Sequence, residues 1–354
     1  MKNLSIKAGR KAMEILMSEG LNSERISILA GASGGPKWLV LSGIDRVLPQ
    51  LFRERKTPLK MIGSSIGCFR IAALMQKDPA AAVQKFEESY IEQSYSSKPS
   101  AVEVTEESMR IMNYYIEDNA INDILNHPFM RLFFISVKSR LAGESDLRAF
   151  QMPYLAAAAA SNIISRKLLT LYYKRVLFHD IRDENGFSAL KNFSTLRVPQ
   201  TKENFRKALM SSGSIPLAMS GIYNIPGAPR GVYRDGGVID YHLDIPFNAG
   251  DDSIVLYPHF YSYLVPGWFD KALKWRKPSE ANTDNIVLIS PGDEFVESLP
   301  LKKIPDRKDF YLFRHDDSQR KIYWKIVAEK SREMGKELMG LINSGEIRNR
   351  VVPL

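Results

Sequence analysis

Short apolar runs alternate along the chain with segments whose apolar residues recur every three or four positions. The runs at 26–30, 132–137, 253–257 and 285–289, with shorter ones near 175–178 and 195–198, read as buried strands. Between them, Val83, Phe86 and Tyr90 share one face of a helix that Asp78 opens as N-cap, with Pro79 at its first position. Ile6, Met13, Leu16 and Met17 predict a helix over residues 5–19 stopped by Gly20. Residues 100–126 read as largely helical, an alanine-rich helix covers about 147–164, Asn185-Gly186 marks a tight turn, and a helix follows at 202–210. Near the end, Ile322, Ile326, Val327, Met334, Leu338, Leu341 and Ile342 fall on one stripe, predicting a long amphipathic helix over 318–343 stopped at Gly345. Strands alternating with helices predict an α/β layered domain.

Candidate chemistry concentrates where Lys60-Met61-Ile62 ends in Gly63-Ser64-Ser65-Ile66-Gly67. This is G-x-S-x-G between an apolar strand and a helix-compatible run, the arrangement that exposes one serine hydroxyl on a strained strand-to-helix turn. Ser65 is the candidate nucleophile, with Gly63 and Gly67 as the glycines of the elbow. Upstream, the strand 26–30 runs into Gly31-Ala32-Ser33-Gly34-Gly35-Pro36-Lys37, a glycine-rich turn whose backbone N–H groups can face an anion. Downstream, Tyr233-Arg234-Asp235-Gly236-Gly237 sets a carboxylate at a strand end.

The order of glycine loop, serine elbow and Asp-Gly-Gly resembles the patatin-like phospholipases and lipid acyl hydrolases over about residues 25–245. Ser33-Gly34-Gly35-Pro36-Lys37-Trp38 keeps two glycines and the basic residue of that family's loop, with Ser33 and Trp38 standing at the other two glycine positions. Leu209-Met210-Ser211-Ser212-Gly213-Ser214-Ile215-Pro216 is similar to its serine-rich segment. The resemblance implies a three-layer α/β/α fold with a mostly parallel central sheet. It divides the chain into a catalytic domain at 1–247 and a C-terminal extension at 248–354, packed on the same core and ending in the long helix. It further implies a Ser65–Asp235 dyad cleaving lipid acyl esters through an acyl-enzyme, with amides of Gly34, Gly35 and Ile66 as the oxyanion hole. Lys37 is a candidate headgroup contact, and no cofactor is implied.

A serine hydroxyl needs a base at neutral pH, and the residues alone allow two. Asp235 takes the proton directly, or a histidine stands between, in which case Ser65, Asp235 and then His259 or His315 follow the order of an α/β-hydrolase. A lipid- or partner-binding protein on the same fold, without catalysis, is the third reading. No H-E-x-x-H and no Cys/His ligand spacing suggests a metal.

Composition, 44% hydrophobic and 25% charged over 354 residues, is that of an ordinary globular protein. The single cysteine, Cys68, excludes an internal disulfide and fits a reducing, cytoplasmic setting; the first residues lack the apolar core of a secretory signal. Cys68 reads as a small buried residue beside the elbow. The net charge of +9 is partly local, since residues 301–354 hold 13 Lys and Arg against 8 Asp and Glu. Such charge is ordinarily a solvated face; interspersed acids and the lack of a basic run argue against nucleic acid, and peripheral contact with an anionic membrane or an acidic partner is the interaction that it suits. The aromatic and basic stretch 257–276 suits either a lid at such a surface or packing on the core.

Overall fold

The computed structural model describes residues 2–190 and 192–354. Among these, eleven strands join in one sheet: β1 (Leu4–Ala8), β2 (Ile26–Gly31), β3 (Leu59–Ser64), β4 (Met130–Ser139), β5 (Tyr173–His179), β6 (Thr195–Pro199), β7 (Ile222–Tyr223), β8 (Val232–Asp235), β9 (Ile254–Pro258), β10 (Ile286–Pro291) and β11 (Val351–Pro353). Their order is β11-β1-β10-β9-β2-β3-β4-β5-β6, with β8 on β4 and β7 on β8. The five neighbours β10, β9, β2, β3 and β4 run parallel. β1 and β5 are antiparallel to β10 and β4. β9 and β10 are buried at every position, as strands covered on both faces must be. Helices surround this mostly parallel sheet, an arrangement compatible with three α/β/α layers. Ile66–Leu74 packs on β2 and β3, Phe205–Gly213 on β4, and Asp317–Asn343 on Ser42–Leu51.

Residue 247 marks no edge of the sheet. β9 lies between β2 and β10, so the part of the chain after 247 supplies central strands as well as the last helix.

The expected helix over 5–19 is instead β1 followed by the helix Arg10–Glu19. Leu4, Ile6 and Ala8 point inward while Ser5 and Lys7 do not, a period of two that reading Ile6 as the first turn of a helix had concealed. The segment 100–126 is two helices, Ala101–Tyr115 and Asp118–Leu125. The last helix spans Asp317–Asn343, and Gly345 beyond it adopts the left-handed conformation at φ 71°. Its buried face runs through Trp324, Val327, Ser331, Met334, Leu338 and Leu341. Ile322, on the predicted stripe, is 51% exposed, because a residue two before Trp324 lies far around the helix. Ile326 is exposed as well. The polar members of the buried face are satisfied: Ser331 Oγ accepts the Gly43 N–H, and the Arg320 guanidinium donates to the Ile91 and Gln93 carbonyls. No helix among the described residues is long and apolar enough to cross a membrane.

Candidate active site

Sheet register explains how residues 170 positions apart meet. β3 pairs along β4 up to Ser64 opposite Ile135, and β8 takes up the same edge of β4 at the next position, Asp235 opposite Ser136. Since β8 runs antiparallel to β4, the carboxyl ends of β3 and β8 come head to head. β2 ends alongside, with Gly31 opposite Gly63. The three motif-bearing loops therefore open at one point, at the carboxyl ends of parallel strands, where open α/β sheets form their crevices.

Ser65 follows β3 directly and opens the helix Ile66–Leu74 with φ 53° and ψ −131°, a strained backbone for a residue with a Cβ. The turn closes only because its flanking positions lack side chains. A Cβ at Gly63 would lie 2.8 Å from the Cys68 nitrogen, and one at Gly67 would lie 2.1 Å from the Gly31 oxygen. The helix behind the nucleophile is fixed by Arg70, which makes a buried bidentate pair with Asp45 at 2.8 and 2.7 Å. Breaking one side of such a pair costs about 3–5 kcal/mol.

The Ser65 hydroxyl donates to Asp235 Oδ2 at 2.7 Å, and each residue is 6% exposed. Asp235 Oδ1 accepts the Gly237 N–H at 2.7 Å, which holds the carboxylate in the plane that faces Ser65. Burial raises the Asp235 pKa; the hydrogen bonds from Ser65 and Gly237 and the charges of Arg307 and Lys271 act against it. The serine-rich segment holds both partners. Ser212 Oγ accepts the Ser65 N–H at 3.0 Å and donates to the Ile135 carbonyl, while the Ser214 carbonyl accepts the Asp235 N–H at 2.8 Å.

The glycine loop lies against this pair. Gly34 packs on Phe260, where a Cβ would approach the ring to 2.4 Å, and Gly35 adopts φ 56° beside Arg307. Neither amide finds an acceptor among the described residues. Ser33, in a glycine position of the resembled loop, donates its hydroxyl to Ser64 Oγ at 3.0 Å. Trp38, in the other, is buried and stacked on Phe86 at 4.3 Å between ring centroids. The loop thus accommodates Ser33 in a bond beside the nucleophile and Trp38 in the core.

A cleft of about 280 Å³, counting the part open to solvent, is lined by Ser33, Gly34, Ser65, Asp235, Tyr241, Trp268 and Arg307, among others. Of the expected site residues, Ser65, Asp235 and Gly34 line it. Ile66 follows Ser65 at the start of the helix, where an amide has no intrahelical partner. Gly35 and Lys37 lie outside the lining; the Lys37 ammonium stands 5.5 Å from the Phe260 ring centroid, and burial with the nearby Arg307 lowers its pKa to about 8. Tyr241, Trp268 and Arg307 were not identifiable from a local motif, because each reaches the cleft from a separate loop.

The histidines stand apart from the pair. His259 is buried with its Nδ1 accepting the Tyr261 N–H at 2.9 Å, and burial lowers its pKa to about 3. His242 lies beside it, its Nδ1 accepting the Val265 N–H. His315 is exposed and bonded by Arg314. Among the described residues no histidine bonds Ser65 or Asp235, so the Ser-His-Asp arrangement is corrected to a direct contact between serine and carboxylate. Cys68 is fully buried, its Sγ 3.1 Å from Ser212 Oγ. In the stretch 257–276, Tyr257, His259, Phe260 and Leu264 are buried and Trp268 lines the cleft, whereas Tyr263 and Trp275 are 55% and 67% exposed. No group of three or more metal-ligating side chains occurs among the described residues. No family model matches the sequence, and no curated protein matches it either.

Proposed function

We propose that the protein is a patatin-like serine acyl hydrolase cleaving lipid acyl esters, in the manner of a phospholipase A or lysophospholipase, through a Ser65–Asp235 dyad. The observation that carries this reading is the 2.7 Å hydrogen bond from a serine on a strained elbow to a buried carboxylate, with unpaired amides beside it. Ser65 Oγ attacks the acyl carbonyl and its proton passes to Asp235 Oδ2. A carboxylate whose pKa is raised by burial is a better base than an exposed one, which narrows its mismatch with a hydroxyl.

The oxyanion forms against the amides of Gly34 and Ile66, with Gly35 as the third candidate; each such donor contributes about 2.7–4 kcal/mol to barrier lowering. The alcohol leaves with the proton held by Asp235. Asp235 then draws a proton from water as it attacks the acyl-enzyme, and returns that proton to Ser65 Oγ as the C–Oγ bond breaks and the fatty acid leaves. No step needs a cofactor.

The enclosed space beside Ser65 is small, little more than a water molecule across, well below that of ordinary ligand pockets. In this reading an acyl group enters as a lining segment, such as the one bearing Trp268, moves. Exposed Trp275 and Tyr263, with Lys274 next to Trp275, are the groups that would touch an anionic membrane in this reading.

The test is hydrolysis of a chromogenic short-chain acyl ester by the wild type, Ser65→Ala and Asp235→Asn. Ser65→Ala abolishes turnover and Asp235→Asn lowers it by about 10²–10⁴-fold. Near-full activity in either variant rejects the dyad.

A further inference from the structure

Basic side chains gather at the mouth of the cleft without acidic partners. Arg307 lines the cleft, half-buried, with its Nε facing Gly35. Lys271 comes from the segment that bears Trp268; its ammonium stands 4.0 Å from the ring centroid of Tyr241 and 5.8 Å from that of Trp268, both rings of the cleft wall. Among the described residues neither cation forms an ion pair or a hydrogen bond.

The nearest acids are already engaged. Asp306 is held by Lys303 at 3.4 Å, Asp309 by Lys303 and the Trp324 Nε1–H, and Asp235 by Ser65 and Gly237. Elsewhere in the fold, the buried Arg70, Arg175 and Arg234 pair with Asp45, Asp240 and Asp146, and the buried Arg55, without an acid, donates to the Ser23, Thr57 and Pro58 carbonyls. Cations left unpaired beside a nucleophile mark the place where a ligand supplies the counter-charge.

We propose that Arg307 and Lys271 form an anion subsite next to Ser65, so that the preferred substrate is an ester carrying a carboxylate or phosphate rather than a neutral acylglycerol. The substrate part of this inference rests on Ser65 being the nucleophile; the anion subsite does not. Arg307 offers a planar fork suited to two oxygens of one anion, and Lys271 a point charge held over the Tyr241 ring. The two now repel. The Lys271 side chain is exposed overall, yet desolvation of its ammonium against the rings, together with Arg307 and Lys37, lowers its pKa to about 7. A bound anion relieves that repulsion. The same field favours the ionised form of Asp235, so an effect through Asp235 is the competing explanation for Arg307.

Calorimetric titration of the Ser65→Ala protein with inorganic phosphate tests the subsite without turnover. Phosphate binds, and its affinity falls about tenfold or more in Ser65→Ala/Arg307→Met and in Ser65→Ala/Lys271→Met, with partial recovery in Ser65→Ala/Arg307→Lys. Absence of phosphate binding, or equal binding by all four proteins, overturns the proposal.

The substrate part is read from 4-nitrophenyl hydrogen adipate against 4-nitrophenyl hexanoate, esters of the same acyl length with and without a terminal carboxylate. Wild type favours the adipate in kcat/KM, and Arg307→Met lowers that ratio about tenfold through KM. An equal loss on both esters, with a shifted acid limb of the pH profile, assigns Arg307 to Asp235 instead and overturns it. Co-sedimentation with phosphatidylglycerol rather than phosphatidylcholine vesicles, lost in Arg307→Met, identifies the anion as a lipid headgroup. Adipate preference without such co-sedimentation identifies a soluble ester. Phosphate binding by a protein that hydrolyses neither ester leaves the subsite standing and rejects the hydrolase.

Discussion

A Cβ on Gly67 would stand 2.1 Å from the carbonyl oxygen of Gly31, so the helix behind the nucleophile meets the end of β2 through bare backbone. Neither atom has a flexible side chain that can yield. Gly67→Ala therefore pushes the helix off the sheet, and with it the turn that presents Ser65. The expected loss is about 3 kcal/mol, the upper end of the cost of overpacking, read as a lower midpoint in urea unfolding. A wild-type midpoint would show that the elbow has slack which this contact excludes.

Ser212 acts on the nucleophile from behind. Its hydroxyl accepts the buried Ser65 N–H, and no other acceptor for that amide is present among the described residues. Ser212→Ala leaves the amide orphaned, at a cost of about 1–3 kcal/mol in stability. As a positioning residue that touches no substrate, Ser212 should lower kcat while leaving KM of the short-chain ester unchanged. Unchanged kcat would reduce its role to packing.

Asp235 makes stability and activity oppose each other. Its pKa is raised in the folded protein, so the folded state binds the proton more tightly than the unfolded chain. The ionised carboxylate therefore costs stability at neutral pH. That cost disappears as pH falls below the unfolded value of about 3.9. Asp235→Asn can keep the Gly237 N–H bond through its amide oxygen, and should be more stable than wild type at pH 7, with the gap closing in acid. Activity runs the other way: wild-type kcat falls with acid along a limb lying above the ordinary carboxylate range. A variant less stable than wild type at pH 7 would contradict the burial penalty.

Cys68 lies in the first turn of the elbow helix but is closed off. Burial pushes its thiol pKa up, and Ser212 Oγ is its polar neighbour at 3.1 Å. Iodoacetamide should leave the folded protein unmodified and label Cys68 only after denaturation. Stoichiometric labelling of the native protein would mean that the site opens far more readily than its packing allows.

The strands were largely legible because parallel strands covered on both faces are unbroken apolar runs, as 285–289 in β10 shows. β1 was not: Leu4, Ile6 and Ala8 form so short an alternation that the helix after Gly9 absorbed it. The motifs located Ser65, Asp235 and Gly34 because glycine spacing records where backbones must touch. Tyr241, Trp268 and Arg307 carry no such record, since their positions at the cleft depend on how separate loops fold over the sheet. Their chemistry, an arginine in a basic tail and a tryptophan in an aromatic stretch, has nothing local to distinguish it from a solvated or core residue. For the same reason, sequence order admitted His259 and His315 as bases, although the chain takes both away from Ser65.

Activation of the Ser65 hydroxyl is measured by covalent labelling with a fluorophosphonate probe, the modified residue being identified by peptide mass spectrometry. An adduct on Ser65 forms quickly in the wild type, slows by about 10²-fold or more in Asp235→Asn and is absent from Ser65→Ala. A protein that stays unlabelled at Ser65, or an Asp235→Asn variant labelled as fast as wild type, contradicts activation by the Ser65–Asp235 contact.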